Sequence, residues 1–537
     1  MGGVVEVTFG RRDLLASLAV GWFADQVLPD HPHITGALVG ASHRVGHRLR
    51  LPLPSPDGEP PERAEVVVVG SGVSGLTAAW RLREAGLSAR VLELEPFLGG
   101  TSTWGEEGAV MHPWGAHYLP VPEPEARPVA RLLEALGVIT GWDAGGRPIF
   151  RDELLCHAPE ERLFFRGAWH GGLLPWDRLD TGERAEVSRF IAQVGELQNA
   201  LGNDGRRGFT IPLSQASRDP RFTDLDRTSM AAWLDGEGYR SRFLRWFVEY
   251  GTRDDFGADL SECSAWAGLH YFAARTLETE QLSGSRYLVW PEGNGWLVRQ
   301  LLARLTEPPR SGALVLSVQA EGDGVMVRYL DLASDRVRRI AARGAILAVP
   351  GFVATRLVSG SAAQRLLRRE SSPWLVANLH VARPPGETWD SVLYDSPGLG
   401  YVDAGHQGSP LETRTVLTYF RAYGAAEPAA TRAMLLERSW ADHASAALAD
   451  LGQADPRLVD DTRRIDVMLW GHAMPRPTPG FLAVRDQADQ PMIDARVAWG
   501  HVDQTGYAIF EEATDRGVRA AEALAEALGV RSGESWV

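Results

Sequence analysis

The stretch from Ala64 to Glu95 reads A-E-V-V-V-V-G-S-G-V-S-G-L-T-A-A-W-R-L-R-E-A-G-L-S-A-R-V-L-E-L-E, and it constrains the fold more than any other. Val66 to Val69 form a continuous β-branched run, the pattern of a parallel strand covered on both faces. Gly70, Gly72 and Gly75 follow at G-x-G-x-x-G spacing. The first permits a tight turn, the second lets main chain approach a diphosphate, and the third lets the following helix pack close to the sheet. That helix is expected from about Val73 to Ala85. Val73 and Ser74 open it, where free N–H groups and the helix dipole favour a phosphate. Gly86 ends it, Ser88 to Leu92 restart a strand, and Glu93 and Leu94 stand at that strand's end. A carboxylate about 20 residues past the glycines accepts ribose hydroxyls and argues against a 2′-phosphate. Strand, turn, helix, strand and acid in this order specify a dinucleotide-binding unit.

The rest of the composition narrows the chemistry. With 537 residues, 44% hydrophobic and 23% charged, the chain has the balance of a globular protein of two or three domain-equivalents. No apolar run reaches the roughly 18 residues that a membrane-spanning helix needs. Sixty-nine acids against 55 basic residues give a net charge of −14, which argues against nucleic acid as a partner. Cys156 and Cys263 are the only cysteines, too few and too far apart for a zinc site, an iron–sulfur cluster or a redox pair, so no metal is expected. Every basic residue other than histidine is arginine, so Schiff-base and Walker A lysines are excluded.

Arg11 and Arg12 directly precede an apolar stretch from Leu14 to Ala24, the order of a twin-arginine export signal. Residues 1–24 are read that way, which implies a periplasmic or exported protein; an amphipathic helix on a cytoplasmic protein is the alternative. Residues 25–63, rich in His, Pro and Gly, read as a linker or strap lying on the first domain.

After Glu93 the chain continues L-E-P-F-L-G-G-T-S, and here it resembles the flavin-containing amine oxidase superfamily, with Gly99 and Gly100 matching that family's glycine pair. Thr101 stands where an arginine is common. The stretch from Arg496 to Ala521 is similar to the family's closing strand, turn and helix, with Asp503, Thr505, Gly506 and Tyr507 in the turn, and Val318 matches the position whose backbone meets the adenine. The strap, the arginine pair and the closing E-E-A-T-D-R-G-V-R-A-A resemble the spermidine dehydrogenase branch. The resemblance implies an α/β fold: a Rossmann-like FAD domain of the glutathione-reductase type with a discontinuous α+β substrate domain. FAD is the implied cofactor, and no second intact G-x-G-x-x-G is present for a nicotinamide donor. The expected pieces are 64–118, 285–350 and 465–537 for the FAD domain, and 119–284 and 351–464 for the substrate domain.

The implied activity is oxidation of an amine, on the spermidine dehydrogenase likeness a polyamine, by hydride transfer from the carbon beside nitrogen to flavin N5, with an acceptor that the sequence does not specify. A desaturase or isomerase of an apolar polyene and a flavin-binding protein without turnover are the alternatives. Candidate reaction-site residues follow from the same resemblance. Ala377 or Asn378 lies near where a lysine commonly holds a water on the flavin; Asn378 reads as a holder of that water or, equally, as a buried amide satisfying a strand edge. Tyr507 aligns with one aromatic wall of the amine site, with Trp470 or His472 opposite, unless Trp470 is ordinary core. His117 falls where the chain first passes the flavin ring, either as a base or as a turn hydrogen-bonder. Asp254 and Asp255 either attract a polycation or form a solvated or arginine-paired loop.

Overall fold

The computed structural model describes residues 25–52, 58–107, 110–275, 287–408, 414–425, 427–531 and 533–537. The arginine pair and the apolar stretch after it lie outside the described residues. The β-branched run does become a central parallel strand. Glu62–Val69 pairs in parallel with Ala89–Leu92 on one side and with Arg336–Leu347 on the other. Val66 and Val68 face the helices Val73–Glu84 and Phe510–Ala527, sharing a core with Val91, Ile346 and Leu524. Val67 and Val69 face the opposite layer, with Leu92, Leu347 and Leu357. Both faces are therefore covered, which is what a parallel sheet requires.

Arg336–Leu347 does two jobs along its length. Its first half is the last strand of an antiparallel meander with Ala313–Glu321 and Gly324–Asp331, and its second half joins the parallel sheet, beside Glu62–Val69 and Val497–Trp499. The two helices on one face cross at Gly517, where an added Cβ would come within 2.3 Å of the Ser74 carbonyl oxygen. Only glycine allows that approach.

A second, larger sheet is built around Ser371–Val381, which pairs antiparallel with both Thr415–Ala422 and Thr462–Pro475. Gly400–Asp403, Asp390–Leu393, Glu161–Phe165 and Ala168–Gly171 extend it on one side. One face carries Leu375, Ala377 and Leu379 against the helix Trp440–Leu451. The other carries Trp374 and Val376 against Arg242–Phe256 and Ala265–Ala273. This alternation is the period of two expected of a strand.

Two elements sit elsewhere than the sequence reading put them. Thr462–Pro475, expected to begin the third piece of the nucleotide unit at 465, spends its length in the second sheet, and the chain rejoins the nucleotide sheet at Met492–Asp494 and Val497–Trp499. The strap is partly ordered as strand. His31–Gly36 and Leu38–Val39 pair in parallel with Thr462–Pro475, and the short helix His43–Gly46 follows over the meander. The strap therefore touches both sheets.

Candidate functional site

The three glycines of the first turn do three different things. Gly70 has φ of +101°, and a Cβ there would lie 2.6 Å from the Ala348 carbonyl oxygen. At Gly75 a Cβ would lie 2.0 Å from the Gly70 carbonyl oxygen, so the third glycine lets the helix sit on the turn. At Gly72 a Cβ would meet nothing within 4 Å. Gly72 is also the cap of the helix Val73–Glu84, which has no side-chain cap and no acid in its first turn. The first N–H groups of an α-helix have no partner within it, so an uncapped start beneath open space is a cradle for an anion. The donor set fits the diphosphate of a dinucleotide.

Glu93 lies at the end of the second strand with its carboxylate turned to this turn. One oxygen accepts from the N–H and the hydroxyl of Ser71, at 2.8 and 2.7 Å, and the other accepts from the Glu95 N–H at 2.9 Å. A carboxylate offers about four acceptor positions, so one remains open for a ribose hydroxyl. Leu94 packs with Val45 and Leu314. Gly99, with φ of +100°, donates its N–H to the Ser71 carbonyl, and a Cβ on Gly100 would lie 3.3 Å from the Cα of Gly72. The second glycine pair thus closes over the first turn. The carbonyl of Thr101 accepts the Ala116 N–H at 2.9 Å, which ties this turn to the loop that carries His117. Val318 is buried in the meander opposite Val327.

The closing turn comes to the same end of the sheet. Ser74 donates its hydroxyl proton to the Gly500 carbonyl at 2.6 Å. Asp503 is buried and accepts the Gly351 N–H at 2.7 Å, while Thr505 donates to the Val502 carbonyl and Gly506 takes φ of +85°. Tyr507 lies within an aromatic cluster, 4.8 Å from His270 and 5.1 Å from Phe256 between ring centroids, and its buried hydroxyl has no hydrogen-bond partner among the described residues.

A second group of residues gathers around His117, from a short strand pair, a helix and the second sheet. His117 stacks on Phe420 at 4.5 Å and lies 5.8 Å from Trp389. Tyr118 meets Tyr287 and Trp389 edge-on at 5.1 and 5.9 Å. The Tyr118 hydroxyl donates to Asp254 at 3.3 Å, and the Tyr250 hydroxyl to Asp390 at 3.5 Å. Asp255 is paired with Arg275 at 2.7 Å. Burial pushes the carboxyls of Asp254 and Asp390 well above the usual range, reinforced by Asp255 at the first and by Glu161 and Asp254 at the second and only partly offset by Arg275 at Asp254; among the described residues neither carboxyl is ion-paired. Burial also pulls His117 down to about 4, so its ring is neutral at ordinary pH. The Nδ1 of His117 is 3.2 Å from the Gly115 carbonyl, which makes Nδ1 the donor and leaves Nε2 to accept.

The remaining reaction-site candidates occupy the second sheet. Asn378 is fully buried, donates Nδ2–H to the Pro113 carbonyl at 3.0 Å, and leaves Oδ1 without a partner among the described residues. Trp470 donates its indole N–H to the Trp114 carbonyl at 2.7 Å and meets Phe97 edge-on. His472 packs on Phe352 at 4.3 Å, and burial lowers it to about 4. Asn378 and Trp470 therefore grip the same loop, Pro113 to Trp114, that leads into His117. Tyr507 and Trp470 each have other ring neighbours.

Asp254 belongs to the helix Arg242–Phe256 and not to a loop. The signal was present in the sequence: Phe243, Phe247, Tyr250 and Asp254 recur at helical spacing, which puts an acid on an apolar face. Asp390 and Trp389 carry no comparable local signal. Among the described residues no cluster of side chains is arranged to hold a metal, and no helix is long and apolar enough to cross a membrane.

Comparison with known proteins agrees with this architecture. Residues 68–136 match the family model of an NAD(P)-binding Rossmann-like domain. Thiamine thiazole synthase from Aeropyrum pernix is 38% identical over 76 residues, covering 14% of this chain and 24% of that protein, so the match spans about a quarter of the relative's length. Among solved structures, a redesigned putrescine oxidase matches 87% of this chain and 100% of its own, with 17% identity and a TM-score of 0.62. Cyclohexylamine oxidase from Brevibacterium oxydans matches to the same extent, with 19% identity and a TM-score of 0.62. These likenesses establish the fold, a Rossmann-like unit joined to a mixed second unit, over most of the chain.

Two outcomes are expected. Gly75→Ala forces a Cβ into a carbonyl and should cost about 1–3 kcal/mol in a denaturant titration. Gly72→Ala should leave stability within about 0.5 kcal/mol while reducing dinucleotide binding. The second outcome concerns pH. Burial raises Glu511 and Glu512 to about 7, so between the ordinary carboxylate range and that value the folded chain holds protons that the unfolded chain has released. Stability from these groups is complete below the unfolded value and is lost as pH rises through about 7, on the order of 3 kcal/mol for each. Melting curves from pH 4 to 8 should show the decline, and Glu511→Gln with Glu512→Gln should reduce its slope, leaving the share of Asp254 and Asp390.

Proposed function

We propose that the chain is an FAD-dependent oxidoreductase that oxidises an amine, and that its substrate is a diamine or polyamine. The observation that carries the substrate reading is the enclosure of Asp254 and Asp390 among Tyr118, Tyr250, Trp389 and the His117–Phe420 stack. Aromatic faces attract alkylammonium groups. A buried carboxylate without a bonded cation is costly unless a ligand brings one.

The glycine turn, the uncapped helix start and the open position on Glu93 fit the diphosphate and ribose of FAD; two solved amine oxidases share the fold. When bound, the flavin would supply a two-electron acceptor for the hydrogen on the carbon beside nitrogen, and the resulting imine would hydrolyse to an aldehyde. The chain's residues prepare the amine for this step. Asp254 and Asp390, held protonated by burial, exchange their protons for an entering ammonium and fix one end of the substrate. The Nε2 of His117 and the Oδ1 of Asn378 are acceptors free to hold an amine N–H or a water. The rings exclude bulk water, which strengthens each of these contacts. Export through the twin-arginine route suits a protein that folds around its cofactor first, and the arginine pair before an apolar stretch supports it.

Anaerobic addition of spermidine to the flavin-loaded protein should bleach the flavin, and an apolar polyene should not. Asp254→Asn should lower kcat/KM for spermidine roughly 10- to 100-fold, with a much smaller effect on a monoamine of equal length. Bleaching by the polyene alone would overturn the amine reading.

A further inference from the structure

The strap segment Ser42 to Arg50 reads S-H-R-V-G-H-R-L-R, five basic side chains without an acid in a chain of net charge −14. Its two ends reach the two ends of the cradle described above. At the first end the Ser42 N–H bonds to the carboxylate of Glu95, and Val45 shares an apolar cluster with Leu94. Glu93, between the glycine turn and these two residues, is the acid that holds Ser71. At the other end Leu49 packs beside Val349 and Val353. That places His47 next to Arg356, and both His47 and Arg50 next to His472. His472 packs on Phe352, and Asp503 of the closing turn lies beside it. The strap thus runs from the ribose acid to the closing turn.

Its cations are not used up within the protein. Arg48 pairs with Asp335 at 3.1 Å, but among the described residues Arg44 and Arg50 have no anionic partner. Among the described residues, no arginine side chain is bonded to the glycine turn or to Glu93. The cradle's glycine turn offers main-chain N–H groups, Thr101 stands at its second turn, and the chain contains no lysine. A helix start contributes only about half a unit of positive charge, against about two negative charges on a diphosphate.

We propose that the strap is part of the cofactor site: Arg44 and Arg50, carried over the groove by the segment Ser42 to Arg50, neutralise the diphosphate of the bound dinucleotide. The inference rests on the reading of the groove as an FAD site. It makes the strap a clasp, anchored by strand pairing on the second sheet and closed over the nucleotide by charge.

The test compares Arg44→Gln/Arg50→Gln with Arg178→Gln/Arg531→Gln, which removes the same charge from exposed positions outside the strap. FAD affinity of the full-length chain is measured by flavin fluorescence at several salt concentrations, with ADP and adenosine as competitors. The strap variant should bind FAD about tenfold or more weakly, with a shallower salt dependence. ADP should weaken by the same factor and adenosine should not change. Affinity within about twofold of the unaltered chain, a loss equal to that of the control, or equal weakening of ADP and adenosine would overturn the proposal. If the unaltered chain takes up no FAD, the cofactor reading itself fails and takes the clasp with it, a result distinct from all the others.

Discussion

The approach of Gly75 to the Gly70 carbonyl is the constraint on which the rest of the molecule depends. Because no side chain stands between them, the helix Val73–Glu84 starts directly on the turn, and its unpaired N–H groups point into the space above Gly72. The helix Phe510–Ala527 then comes within a methyl group's reach of Ser74 at Gly517, so the chain's last long element is registered to its first turn. Ser74 itself is bonded to Gly500. Residues more than four hundred positions apart in this way come to hydrogen-bond distance beside one cradle.

One loop ties the second sheet to that cradle. Thr101 holds Ala116, Asn378 holds Pro113, and Trp470 holds Trp114, so the segment leading to His117 is fixed from the nucleotide unit and from two adjacent strands of the other sheet. Electrostatics adds a second link. Arg275 is the shared neighbour of Asp255 and of Glu511, which opens the closing helix. The acids around the aromatic enclosure and the acids at the start of that helix therefore respond to one another's charge.

The nucleotide unit was legible from the sequence because its constraints are local. A strand buried on both faces, three glycines with separate duties and an acid at the next strand's end all lie within Ala64 to Glu95, and each duty depends on backbone geometry that few residues can meet. The substrate side was less legible because it is assembled from distant pieces. Tyr118, Asp254, Trp389 and Phe420 come from a short strand, a helix end, a loop and a sheet strand, and no periodicity links them. Asp254 read as a possible loop acid, because Gly251 and Gly257 flank it and weaken the helical signal. Gly257 instead ends the helix with φ of +58°. Thr462–Pro475 followed the family resemblance in the sequence reading, whereas its long alternating pattern is satisfied by pairing with Ser371–Val381.

The central claim is that main chain at Gly72, with Glu93 beside it, receives the diphosphate and ribose of FAD. An absorbance titration of the purified full-length chain with FAD, FMN and NAD tests it most directly. The account predicts saturable uptake of about one FAD per chain, with FMN and NAD bound far more weakly. A chain that remains colourless in the presence of FAD, or that prefers FMN, would contradict it.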